Sequence, residues 1–178
     1  MIMTKLVLGI VAVAAVATLG DFVWYEFGVR NRVVAGVVHG AALLMAAGGA
    51  LAWSHGRVAT GLSTGIGAGV IGALLYYALD LVMGRSALLA SWFSVWLLLA
   101  VGQGRIVQRP PRAWKAVMTS GIAAALLSSL TFYAVSGMLW GRAPVGGRNY
   151  AVQLACWLVA WAPGLLAIGA GTRSRTPL

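Results

Sequence analysis

Few side chains in this sequence could do chemistry. Its 178 residues hold three carboxylates (Asp21, Glu26 and Asp80), two imidazoles (His39 and His55) and one thiol, Cys156. A metal centre needs several His, Cys or carboxylate ligands at short helical or hairpin spacing, and the sequence has no such grouping. Bis-imidazole haem ligation needs two embedded histidines, and only His39 lies within an apolar run. Neither His-Glu-x-x-His nor a Ser–His–Asp or Cys–His order can be assembled. The expectation is a protein that is not an enzyme and carries no metal or cofactor.

The ionisable groups are few, but they share a level. Asp21 and Tyr25 are four residues apart and Glu26 follows; Asp80 comes just after Tyr76-Tyr77; His39 lies about two turns into the next apolar run. A charged group at the centre of a membrane helix costs about 2.5–3.5 kcal/mol or more unless paired or hydrated. With Arg30, Arg32, Arg85, Arg142 and Arg148 around them, these groups would line a water-accessible vestibule. The competing reading is salt bridging of Asp80 with Arg85, and of Asp21 or Glu26 with Arg30 or Arg32, fastening turns only. A second candidate is aromatic: Trp92 and Trp96 are four apart, as are Trp157 and Trp161. Each pair stacks on one helix face. Opposed, they would form a slot for a flat or apolar ligand, edged by Ser91, Gln153 and Cys156; ordinary core packing is the alternative. Pro163-Gly164 is expected to kink or unwind the helix beside that slot.

The elements that position these residues follow from composition. With 61% hydrophobic and only 9% charged residues, the chain carries more apolar surface than a soluble domain of this size can hide. Lipid is the solvent that fits. The formal charge of +10 would suggest nucleic acid in a soluble protein, but the basic residues fall between apolar runs, where they set topology. No nucleic-acid partner is expected.

Six runs approach the ~20 residues a helix needs to cross a bilayer: 5–27, 33–53, 58–82, 87–104, 116–140 and 150–171. Their connections are short, so the expected fold is all-α, a single six-helix membrane bundle of antiparallel hairpins. Trp24, Trp53, Trp114 and Trp140 stand at helix ends, the level that indole favours. Lys5, Arg57, Arg105, Arg109, Arg112, Lys115, Arg173 and Arg175 fall on one side, eight of the 13 basic residues. That side is expected to be cytoplasmic, with both termini on it, in a bacterial-type inner membrane. Arg105, Arg109, Arg112 and Lys115, gathered in one loop, are the firmest mark. A reporter fused after Arg109 should read as cytoplasmic and one after Gly146 as external; the reverse pattern would invert the orientation. Lys5, the apolar run that follows and Ala15-Val16-Ala17 together resemble a cleavable secretory signal, which would leave five helices. Apolar residues resume at Phe22-Val23-Trp24-Tyr25 and complete a span, and six is the reading taken.

Two hairpins look related. At an offset of 57, Ala59, Ser63, Ala68, Tyr76 and Gly84-Arg85 fall on Ala116, Ser120, Ala125, Tyr133 and Gly141-Arg142, and each third-plus-fourth or fifth-plus-sixth pair ends with the spaced Trp residues. A parallel repeat of 58–104 and 115–171 is the expectation. Asp80 then aligns with Gly137, an asymmetry that favours a functional role for Asp80 over a turn fastener. Gly61, Gly65 and Gly69, with Gly36 and Gly40, recur every four residues, the spacing that brings helix backbones close.

In size, helix count and loop length the chain is similar to the substrate-binding membrane subunits of energy-coupling-factor vitamin transporters, a similarity of architecture that covers no motif. The expected role is a small-molecule transporter or ligand-binding membrane subunit. The alternative is a structural or accessory subunit that packs against another membrane protein or its own copies.

Overall fold

The computed structural model describes residues 2–110, 113–141 and 147–171. Among them are six α-helices: α1 (Ile2–Glu26), α2 (Arg32–Trp53), α3 (Val58–Met83), α4 (Ala87–Ile106), α5 (Trp114–Trp140) and α6 (Tyr150–Gly171), with one 3-10 turn at Gly84–Ser86. All six are long and apolar enough to cross a membrane. The fold is an all-helical, multi-pass bundle. Arg112, Arg142, Arg173, Arg175 and Gly146, used above for topology, lie outside the described residues.

Two helices outrun their apolar cores. α4 continues to Ile106 and α5 begins at Trp114, because backbone hydrogen bonding does not stop where hydropathy does. Arg105 in the last turn of α4 complements the partial negative charge there. At the opposite end, Asn31 Oδ1 accepts the Val34 N–H at 3.1 Å and Asn149 Oδ1 accepts those of Ala151 and Val152 at 3.1 and 3.2 Å. Each asparagine thereby satisfies orphan donors at the start of α2 or α6.

Consecutive helices pack side by side, and α6 closes the ring against α1. The even-numbered helices α2, α4 and α6 also touch one another, placing them inside, with α1, α3 and α5 in the grooves between them. α2 and α3 form the most extensive pair. Glycine explains it: Gly65 lies against the Leu44 carbonyl, Gly69 against that of Gly40, and Gly61 against that of Gly48, so that a Cβ at any of the three would strike backbone. Gly36 instead makes room for the Tyr77 ring, whose hydroxyl donates to the Arg32 carbonyl at 2.5 Å.

The inner helices end together at the Lys5 end of the bundle. Gln103 Nε2 donates to the Leu51 carbonyl of α2 at 3.0 Å, the Arg57 guanidinium to the Ile106 carbonyl of α4 at 3.0 Å, and that of Arg109 to the Gly171 carbonyl of α6 at 3.5 Å. Each satisfies a carbonyl that the last turn of a helix leaves without an intrahelical donor. In the turn between α2 and α3, burial pushes the His55 imidazole below its usual range, and the Arg109 charge adds to the effect.

Candidate functional site

Asp21 is the one carboxylate among the buried side chains of the described residues, with 9% of its surface exposed. It sits on α1 where α1 meets α6, and the Trp157 indole N–H donates to its Oδ2 at 2.7 Å. Such a donor is what a carboxylate in an apolar interior requires. Arg148, just before α6, supplies positive charge that acts on both Asp21 and Tyr25. Its guanidinium lies 3.5 Å from the centre of the Tyr25 ring and donates to the Leu139 carbonyl at 3.0 Å. Gln153 Nε2 donates to the same carbonyl at 3.2 Å, at the end of α5. Gln153 Oε1 is buried with no hydrogen-bond partner among the described residues.

The same seam continues to the surface. Tyr150 donates its hydroxyl to Glu26 Oε1 at 2.5 Å, and its ring meets Phe22 edge-on at 5.3 Å. Below them a groove of about 440 Å³ runs between α1 and α6, lined by Thr18, Leu19, Phe22, Tyr150 and Leu154 among others. His39 approaches from α2, its ring packed against Gly20, the neighbour of Asp21. Asp21, Tyr25, Glu26 and His39 therefore gather around the C-terminal half of α1. Asp80 does not join them. It is exposed on the flank of α3, beside Tyr76, whose ring packs edge-on against Tyr77 at 5.0 Å. The Arg85 side chain, its suggested partner, lies outside the described residues.

The four tryptophans do come together. Trp161 touches both Trp92 and Trp96, with ring centres at 5.0 and 5.1 Å. Phe132 of α5 bridges Trp92 at 4.9 Å to Trp157 at 5.9 Å. The rings fill the space between α4, α5 and α6 themselves. Ser91 turns away, donating to the Gly72 carbonyl at 2.6 Å, and Cys156 is buried with a free thiol. α6 stays helical through Pro163, so of the kink or unwinding expected there, unwinding does not occur. Pro163 removes one backbone donor from the turn, and the hydroxyls of Ser128 and Thr131 reach the neighbouring Ala160 carbonyl at 2.5 and 3.5 Å. The carbonyl that loses its helical donor to Pro163 is that of Val159, four residues back; the hydroxyls on Ala160 tie α5 to α6 one residue further along.

Arg148 was one of five arginines expected around the acidic groups, with nothing to single it out. Phe132 was missed, being one apolar residue among many on α5. Arg109 of the basic loop makes the capping bond described above; Arg105 and Lys115 flank it at the ends of α4 and α5. The chain matches no protein-family model, and neither a curated protein nor a solved structure similar to it was found.

Proposed function

We propose that this chain is a small-molecule transporter or ligand-binding subunit of a cell inner membrane, with its ligand site at the outer end of the α1–α6 seam. The observation that carries this reading is the Asp21 carboxylate, buried and held by the Trp157 indole, with the Arg148 charge acting on it. Ionisable groups inside membrane helices are costly and by default functional. A carboxylate and a guanidinium beside the Tyr25 face suit a ligand that bears both charges, or a cationic nitrogen next to an apolar body. The groove between α1 and α6 offers lateral entry. The Trp92, Trp96, Trp157 and Trp161 cluster then acts as the rigid wall behind Trp157, and the hairpins α3–α4 and α5–α6 are read as parallel repeats that build it.

The test is native mass spectrometry of the purified chain for a co-purifying small molecule, followed by thermal-shift binding of that molecule. Asp21→Asn is expected to weaken binding at least tenfold while Asp80→Asn leaves it unchanged. Equal binding by Asp21→Asn would remove the site. One observation favours the accessory reading instead: Asp80 lies exposed within the last turns of α3, beside Leu81 and Val82 at 89% and 86% exposure. A stoichiometric membrane-protein partner lost in Asp80→Ala, with no small molecule bound, would replace the first reading by the second.

A further inference from the structure

A second groove opens at the Lys5 end of the bundle, away from Asp21. It is walled by Gly9 and Ala12 of α1, Ala46, Gly49 and Trp53 of α2 and Leu62 of α3, and encloses about 230 Å³. Its cause is local. Gly9 lets α1 close directly onto Ala50 of α2, while the small side chains at Ala12, Ala46 and Gly49 leave the surface beside that contact hollow. The wall is aliphatic apart from the Trp53 indole, and the volume is below the ~300–1,000 Å³ of pockets for compact organic ligands. A trough of this kind fits a flexible hydrocarbon chain.

Charge at the mouth is one-sided. The Lys5 ammonium stands 5.9 Å from the centre of the Trp53 ring, and Arg57 follows in the adjoining turn. The three side-chain carboxylates of the sequence, Asp21, Glu26 and Asp80, lie toward the other ends of α1 and α3, Asp21 being about 24 Å along the helix from Lys5, so none neutralises Lys5. A Trp ring at a helix end marks the head-group level, and a basic residue there is attracted to anionic lipid.

We infer that this groove holds one acyl chain of an anionic phospholipid from the leaflet at the Lys5 end, with the lipid phosphodiester against Lys5 and its ester region beside Trp53. A zwitterionic lipid would fill the trough equally well; Lys5 makes the difference between them. A free phosphate would meet Lys5 without needing the trough.

The experiment uses the full chain in phosphatidylcholine vesicles that contain a minority of bromine-labelled lipid, either phosphatidylglycerol or phosphatidylcholine. Bromine quenches nearby indole fluorescence, and the Trp53 contribution is the difference between wild type and Trp53→Phe. Brominated phosphatidylglycerol is expected to occupy the Trp53 site roughly fivefold more favourably than brominated phosphatidylcholine. Lys5→Gln should bring the two to parity, and Lys5→Arg should keep the preference. Ala12→Phe, which fills the trough from its exposed side, should abolish the quenching difference; Ala46→Leu serves in its place where Ala12→Phe fails to fold. Added inorganic phosphate should change nothing. Equal quenching in wild type, a preference that survives Lys5→Gln or the filled trough, or a preference erased by inorganic phosphate would each overturn the assignment.

Discussion

Gly65→Ala is expected to destabilise the folded bundle by roughly 1–3 kcal/mol, while Gly67→Ala, two residues along the same helix, is expected to stabilise it by up to about 1 kcal/mol. The added atom is the same. At Gly65 it meets the Leu44 carbonyl and the Met45 Cα, backbone that cannot rotate aside; at Gly67 nothing lies within 4 Å. Helix propensity therefore decides the outcome at Gly67 and steric overlap decides it at Gly65. Reversible unfolding in mixed micelles, followed by circular dichroism, reads both. A Gly65→Ala variant as stable as Gly67→Ala would mean that α2 and α3 are not in backbone contact.

The second large effect concerns the bond that joins the first helix to the last. Trp157→Phe removes the indole donor from a buried carboxylate, and a hydrogen bond to a charged group contributes about 1.5–3 kcal/mol. The substitution also disturbs packing against Phe132, so the bond itself is read from a double-mutant cycle with Asp21→Ala. The coupling energy is expected within that same range. Asp80→Ala, at an exposed position, is expected to change stability by no more than about 0.5 kcal/mol. A coupling near zero between Asp21 and Trp157 would place the carboxylate in water and withdraw the candidate site.

These comparisons show what a membrane sequence reveals and what it conceals. Depth was legible: long apolar runs bounded by Trp and Arg placed six helices with ends differing from the observed ones by a few residues. Glycine spacing marked α2 and α3 as helices open to close backbone approach, because a missing side chain is visible in one dimension; that they meet each other there is seen only in the fold. Rotation about each helix axis was not legible, since helices apolar on all sides carry no polar stripe to mark the outside. Sequence asymmetry accordingly singled out Asp80, yet it is Asp21 that turns toward α6, while Asp80 turns toward the surroundings. The partner of Asp21 is 136 positions away, and no local pattern could have announced it. The bonds beside Pro163 were hidden for a related reason, because the hydroxyls that reach Ala160 come from Ser128 and Thr131 on another helix.

The capped ends of α2, α4 and α6 bear on permeation. Helix C-terminal carbonyls grouped around a bundle axis are the kind of surface that dehydrates a cation. Here the carbonyls of Leu51, Ile106 and Gly171 already accept from Gln103, Arg57 and Arg109, and two of those donors are themselves cations. An approaching sodium or potassium ion meets repulsion in place of vacant ligands. These three carbonyls therefore serve to tie the inner helices to one another at that end and are not free to act as ligands for a cation.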